Sequence, residues 1–170
     1  SADREFLHDR AWPYLRDASV FIEAVTANND TNGRRTLPLS SSPEIHDNRP
    51  QAWFKEITNY DLALMRWLLG ATAELADEMK LANEAMRWRQ ILGELPDFAR
   101  AEDGRLLVAP GEPLQESHRH FSHLMAVHPL GLVDIADSPA ACRTVEASLR
   151  DLDRLGSDAW CGYSFAWLAS

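Results

Sequence analysis

Apolar side chains recur at the spacing of an α-helix in six stretches of the chain. The stretches are residues 3–27, 58–79, 81–95, 117–127, 138–156 and 160–170. Proline has no backbone N–H and clashes with the preceding turn, so Pro13 predicts a kink or a restart within the first stretch. Thr58, Ser117 and Ser138 are expected to cap the N-termini of their helices. The pattern therefore predicts six helices.

Two long connections interrupt the helical pattern. Residues 28–57 and 96–117 contain too many glycine, proline and serine residues for a helix, and leave room for short extended pieces at 36–39 and 105–108. Helices joined in sequence alternate in direction, so the odd-numbered connections should lie at one end of the molecule. The predicted fold is all-α, with about six antiparallel helices forming part of a toroid and functional loops at one end.

Length, charge and composition limit the function further. The 170 residues suit one domain, and 26 acidic against 17 basic residues give a formal net charge of −9. This balance argues against a nucleic-acid or anionic-membrane partner. No stretch approaches the roughly 18 apolar residues of a membrane span. The chain runs from Ser1 to Ser170 and stops within an apolar stretch, so we expect a soluble piece of a longer polypeptide, whose secreted, periplasmic or other location stays open.

A carboxylate directly after a proline is the candidate catalytic group. Pro43 fixes the backbone before Glu44, which limits the entropy lost when that side chain is positioned. A general acid also needs a raised pKa, and we expect partial burial beside Trp53 and Phe54 to supply it. A surface glutamate in a polar loop would give the same pattern.

A dense group of polar residues lies near the N-terminus of the predicted fourth helix. It consists of Gln115, Glu116, His118, Arg119, His120 and His123. Such donors and acceptors can bind several sugar hydroxyls. Two alternatives stay open: a metal site using His120 and His123, which lacks an HExxH motif and a third ligand, and a purely structural role as caps of a helix and its loop.

Six tryptophans divide between the predicted helices and loops. Trp67, Trp88 and Trp167 fall on apolar helical stripes and are expected in the core. Trp53 and Trp160 belong to the predicted loop end, where they could stack on a sugar ring or pack into the core. Two cysteines are too few for a disulfide framework and match no zinc motif.

Four motifs together resemble one family of enzymes. They are Ser42-Pro43-Glu44, Leu114-Gln115-Glu116, His118-Arg119-His120-Phe121-Ser122-His123-Leu124 and Gly162-Tyr163-Ser164-Phe165-Ala166-Trp167. In order and rough spacing they resemble glycoside hydrolase family 95, which contains inverting exo-acting α-L-fucosidases and α-L-galactosidases on an (α/α)6 barrel with accessory β domains. This chain would cover only part of that barrel.

The resemblance implies roles for particular residues. It makes Glu44 the general acid and residues 118–123 part of the sugar subsite, with a glycan substrate and no metal or other cofactor. The family's asparagine pair would lie upstream of the chain and its aspartate-bearing segment downstream. Residues 45–48 stand where the family usually has an asparagine directly after the glutamate.

The leading hypothesis is therefore that residues 1–170 form part of the catalytic domain of an inverting exo-glycoside hydrolase acting on a terminal α-linked L-fucose-like sugar. An inverting enzyme also needs a base, so we expect the chain alone to be inactive. The rival hypothesis is a noncatalytic helical module that binds a carbohydrate or a protein. Polysaccharide lyase chemistry is less favoured, because the loop end offers few cations to neutralise a uronate, namely Arg34, Arg35, Arg49 and Arg119.

The last predicted helix suggests self-association. It carries Trp160, Tyr163, Trp167 and Leu168, which we expect to be exposed in the isolated chain. Apolar patches of that size are seldom left uncovered, so the chain should self-associate through this helix or pack it against the first helix.

Overall fold

A computed structural model describes residues 3–47 and 49–170. Its helices are α1 (Arg4–Phe6, a π-helical turn Leu7–Ala11 and Trp12–Val25), α2 (Asn59–Glu78), α3 (Ala82–Glu94), α4 (Pro139–Leu155) and α5 (Gly162–Leu168). Two 3-10 turns, Pro50–Ala52 and Ser122–Leu124, and four isolated β-bridges lie in the connections. The described residues contain no β-strand, so the all-α prediction is confirmed.

The break in α1 occurs at the predicted proline. Pro13 cannot donate a backbone hydrogen bond, and the π-helical turn Leu7–Ala11 ends two residues before it. The N–H of Trp12 bonds to the carbonyl of Leu7, five residues back, so the helix widens by one residue where the proline enters. The predicted kink is thus a local change of helix type.

The chain divides into two compact units. The first comprises residues 3–38 and Met65–Pro96. Trp88 is fully buried there, as predicted, and the Ser19 and Thr72 hydroxyls form a buried hydrogen bond of 2.8 Å. Trp67 is 44% exposed, so its predicted core position is wrong for this chain. The apolar face of α2 is wider than the part of it that is buried in this chain.

The second unit comprises Leu39–Leu64 and Asp97–Ser170, and it holds the candidate site. Its main core cluster contains Ile45, Phe54, Leu106, Val108, Ala109, Leu114, Phe121, Leu124 and Leu152. Asn59, at the start of α2, is fully buried and acts as a polar hub. Its amide nitrogen donates to the carbonyls of Ala99 and Leu107, and its amide oxygen accepts from the N–H of Ala99. The Ala99 carbonyl also accepts from the N–H of Leu107, and Asn59 supplies partners to the Ala99 N–H and the Leu107 carbonyl of this irregular segment.

The predicted fourth helix is wrong. Residues 117–127 form turns around the short 3-10 segment Ser122–Leu124. Their hydroxyl groups bond to other segments: Ser117 donates to the carbonyl of Gly156, and Ser122 pairs with Ser42. Such side-chain bonds compete with a regular helix, and helical periodicity in the sequence does not reveal them. The prediction that the odd-numbered connections lie at one end assumes six consecutive helices. That assumption fails without the fourth helix, although several of those loops do meet.

The C-terminal helix is partly packed. Tyr163 and Leu168 are 50% and 43% exposed, in line with the prediction. Trp160 and Trp167 are half-buried and contact Phe121 edge-on at ring-centroid distances of 5.2 Å and 5.1 Å. The prediction that these two side chains are exposed is therefore wrong. Self-association stays a prediction.

Among residues 3–47 and 49–170, none of the helices combines the length and apolar content needed to cross a membrane.

Candidate active site

Three consecutive serines anchor the segment that leads to Glu44. The Ser40 hydroxyl donates to Asp61 at 2.6 Å and accepts from the N–H of Thr58 at 2.9 Å. Thr58 in turn donates to the carbonyl of Ser41 at 2.8 Å and accepts from the N–H of Asp61, which makes it the cap of α2 predicted from sequence. The helix cap therefore also fixes the loop that carries the candidate acid.

The next anchor lies one residue before Pro43. The buried Ser42 hydroxyl is 2.6 Å from that of Ser122, and Ile45 on the other side is buried in the core. Between these anchors Glu44 has a φ of 58°, in the left-handed region that non-glycine residues rarely adopt. Packing on both sides holds this conformation, which turns the carboxylate outward.

Glu44 pairs with two residues of the predicted polar group. Its Oε2 atom lies 2.5 Å from Nη2 of Arg119 and 3.0 Å from Nε2 of His120. The hydrogen bond from Arg119 holds the pKa of Glu44 below its ordinary value, and the positive charge of Arg119 adds to this effect. The side chain is 42% exposed. The predicted raised pKa is therefore wrong for the chain by itself, because a charged partner outweighs the small burial.

Two further contacts support the loop that carries Arg119 and His120. The Ser117 hydroxyl donates to the carbonyl of Gly156 and accepts from the N–H of Ala159. The Tyr163 ring stacks on that of His120, with centroids 5.4 Å apart and planes 24° apart. Residues 117–120 and 156–163 thus converge beside Glu44.

Two cavities lie beside the loop that carries Glu44. The first has a volume of about 290 Å³, and its lining includes Ile45, His46, Gln115, Glu116 and His118. The second has a volume of about 370 Å³, and its lining includes Pro43, Arg119 and His120 together with the apolar parts of Tyr60, Met125, Pro129, Tyr163 and Trp167. Pro43 lines the second cavity and Ile45 the first, so the two chain neighbours of Glu44 line different cavities.

The two loop tryptophans have different surroundings. Trp53 is 59% exposed and lines a third hollow together with His46 and Phe54, so its ring is free to stack on a ligand. Trp160 packs against Phe121 and Phe165 in the core. The core alternative therefore fits Trp160 better than the stacking role.

His120 and His123 do not act together. His120 binds Glu44, whereas His123 is buried, and its Nδ1 atom has no hydrogen-bond partner. Burial lowers the pKa of His123 to about 4. The metal alternative required both on one face of a helix that does not form. Within the described part of the chain, no three His, Cys, Asp or Glu side chains are grouped as metal ligands would be.

Sequence reasoning missed the serines and the tyrosine. Ser40, Ser42 and Ser164 are buried and hydrogen-bonded across loops, and Tyr163 contacts His120. The signal available was the run of three serines before Pro43, which is unusual for a loop whose only role is to connect helices.

Comparison with known proteins agrees with the motifs. Residues 1–170 match the glycosyl hydrolase family 95 catalytic domain. The chain is also similar to alpha-L-fucosidase 2 of Arabidopsis thaliana, with 25% identity over 175 residues that cover 99% of this chain and 20% of that protein. The chain thus spans about a fifth of the length of this relative. It belongs to glycosyl hydrolase family 95 and is part of that family's (α/α)6-barrel catalytic domain.

Proposed function

We propose that this chain supplies the general-acid side of an inverting exo-glycoside hydrolase that removes a terminal α-linked L-fucose-like sugar from a glycan. The observation that carries the proposal is the contact of Glu44 with Arg119 and His120, which both line the second cavity. A group that protonates a glycosidic oxygen must lie within reach of the bound sugar, and a carboxylate held by two residues of the cavity lining suits that requirement.

The polar side chains around the first cavity and on the rim of the second suit a sugar. Gln115, Glu116 and His118 line the first cavity, and Arg119 and His120 lie on the rim of the second. Together they offer the directional donors and acceptors that hydroxyl groups need. We assign substrate binding to these five residues, with Trp53 as a stacking platform at a neighbouring hollow.

The apolar lining of the second cavity supports a deoxy sugar in particular. L-fucose carries a methyl group where its hydroxylated counterpart, L-galactose, carries a hydroxymethyl group. A methyl group loses no hydrogen bonds to water when it enters an apolar cavity, whereas a buried hydroxyl without a partner is costly. Met125, Pro129 and Trp167 give the second cavity that apolar character.

The low pKa of Glu44 has to change during the reaction. A general acid must hold its proton when the substrate is bound, while Arg119 favours the ionised form in the free chain. A sugar hydroxyl that draws the guanidinium away, and a ligand that excludes water, would both raise the pKa. Arg119 therefore has two roles in the proposal: it binds the sugar and it releases the acid.

The base that activates water belongs, in this proposal, to the part of the domain outside this chain. An inverting enzyme keeps its acid and base roughly 6.5–9.5 Å apart to leave room for water. The acid assignment can be tested without knowing the base.

The test is a substitution of Glu44→Gln in the full-length enzyme that contains this chain, assayed on a natural fucosylated oligosaccharide. We expect kcat to fall by about 10²–10⁴, the usual contribution of a general acid. Glu102→Gln is the matched control, because Glu102 is an exposed glutamate in another loop of the same unit. Unchanged turnover with Glu44→Gln would contradict the acid assignment. Sugar binding without turnover by the wild-type enzyme would favour the noncatalytic module.

A further inference from the structure

One fully buried hydroxyl is bonded directly to the backbone of the residue that holds the candidate acid. The Ser164 Oγ atom donates to the carbonyl oxygen of Arg119 at 2.8 Å. The same atom accepts from the N–H of Cys161 at 3.2 Å, within the cap of α5. Ser164 has no exposed surface, so water does not compete for these bonds.

The neighbouring residue acts on the same segment. Tyr163 stacks on His120, and its hydroxyl lies 3.4 Å from the ring nitrogens of that residue. The start of α5 therefore contacts two consecutive residues: Ser164 bonds to the backbone of Arg119, and Tyr163 stacks on the ring of His120. Both of these residues contact Oε2 of Glu44.

We propose that Ser164 is a positioning residue for the reaction, whose hydroxyl fixes the backbone of Arg119 and so sets the contact of the guanidinium with Glu44. This inference rests on the proposed role of Glu44 as the general acid. Ser164 is one of the residues that line the second cavity. Its hydroxyl bonds to the backbone of Arg119 and of Cys161, and in this proposal it acts on Glu44 through Arg119.

Loss of the Ser164 hydroxyl should change the pKa of Glu44 in a definite direction. Arg119 and His120 act on the Glu44 carboxylate directly, and Tyr163 and Cys161 at the start of α5 act on Arg119. Arg119 is the one that lowers the pKa of Glu44 most. A looser Arg119 raises that pKa, so the acid keeps its proton to higher pH. The basic limb of kcat/KM, which reports the free enzyme, should therefore move to higher pH.

The experiment compares variants of Ser164 in the full-length enzyme on a natural fucosylated oligosaccharide. Ser164→Ala removes the hydroxyl. Ser164→Thr and Ser164→Val have the same shape as each other, and only the threonine retains a hydroxyl. We expect Ala and Val to move the basic limb of kcat/KM to higher pH and to lower kcat/KM by about 10- to 100-fold through misplacement of the binding groups. Thr should retain the wild-type limb.

A matched control separates positioning from stability. Ser148 is another buried serine of the same unit, and its hydroxyl donates to Thr144 and accepts from the N–H of Leu106, far from any contact with Arg119. Ser148→Ala should lower the melting temperature without moving the basic limb. The proposal is overturned if Ser164→Ala behaves like Ser148→Ala, or if Thr and Val move the limb equally.

Failure of the proposed function gives a different result. If Glu44 is not the acid, Glu44→Gln leaves the basic limb in place in the otherwise wild-type enzyme. If Glu44 is the acid and Ser164 does not position Arg119, Glu44→Gln removes the limb while the Ser164 variants leave it unmoved. An enzyme with Ser164→Ala that does not fold is replaced by the Thr and Val pair, which differ only in the hydroxyl.

Discussion

Two residues of this chain have pKa values shifted by different causes, a charged neighbour in one case and burial in the other. Glu44 is exposed, and Arg119 lowers its pKa; His123 is buried, and loss of water lowers its pKa to about 4. The first effect keeps a carboxylate ionised and the second keeps an imidazole neutral. The two residues therefore respond to pH through different causes, and only His123 links pH to stability through burial.

His123 should make the protein less stable in mild acid. The folded state keeps the ring neutral down to a pKa of about 4, whereas the unfolded chain takes up the proton near 6.5. Stability is therefore lost as the pH falls from about 6.5 to about 4, by about 3 kcal/mol in all. His123→Phe in the full-length enzyme should flatten this part of the curve of melting temperature against pH.

A matched histidine serves as the control for that measurement. The side chain of His8 is 74% exposed, so His8→Phe removes a histidine without removing a buried one. An identical acid loss in the wild-type enzyme and in His123→Phe would show that other groups carry it.

At the scale of elements, helices with a long apolar stripe could be predicted and the irregular segments could not. The periodicity placed α2 and α4 within about two residues of their observed ends, because a stripe and a cap agree there. It failed at residues 117–127, where Ser117 and Ser122 bond across loops. Long-range partners of this kind do not appear in a local pattern.

The same contrast holds for the candidate site. The sequence indicated Glu44, Arg119 and His120 by residue type, and the structure brings these three together. It gave Tyr163 and Ser164 no role in the site, although both lie within a family motif, because their contribution depends on where α5 begins relative to residue 120. Candidate catalytic and binding side chains can be identified from their residue type, whereas the hydroxyl groups that position them can be identified only once the fold is known.

The serine run before Pro43 yields a prediction about the loop. Ser42 is buried against Ser122, and Ser42→Ala removes the hydrogen bond that fixes the backbone two residues before Glu44. We expect kcat/KM of the full-length enzyme on a fucosylated oligosaccharide to fall about 10-fold, because small displacements of a catalytic group are costly. Ser41→Ala is the control: Ser41 is exposed and its recorded hydrogen bonds are made by its backbone. Equal effects of the two substitutions would contradict a specific role for Ser42.

At the scale of the whole molecule, the chain leaves several large apolar side chains about half open to solvent. Tyr163, Phe165 and Leu168 on α5 and Trp67 on α2 are each more than 40% exposed. The chain is part of a barrel domain and spans about a fifth of its plant relative. In a barrel, neighbouring helices would cover such side chains.

The isolated 170-residue chain should therefore self-associate and should not hydrolyse glycosides. Light scattering over a range of concentrations should give a mass above 19.2 kDa that rises with concentration. Phe165→Lys and Leu168→Lys should shift the mass toward the monomer, because each places a charge on the exposed face of α5. A monodisperse monomer of the wild-type chain would contradict the association, and turnover by that chain would show that the base lies within it.

The most direct test of the central claim is the dependence of the Glu44→Gln defect on the leaving group. The full-length wild-type enzyme and the variant are compared on a series of α-L-fucosides, from natural sugars to aryl groups that leave without protonation. Loss of a general acid should lower kcat/KM by about 10²–10⁴ on the poor leaving groups and by far less on the best ones, which need no proton. An equal loss across the series would mean that Glu44 binds or supports the structure, and would contradict its assignment as the acid.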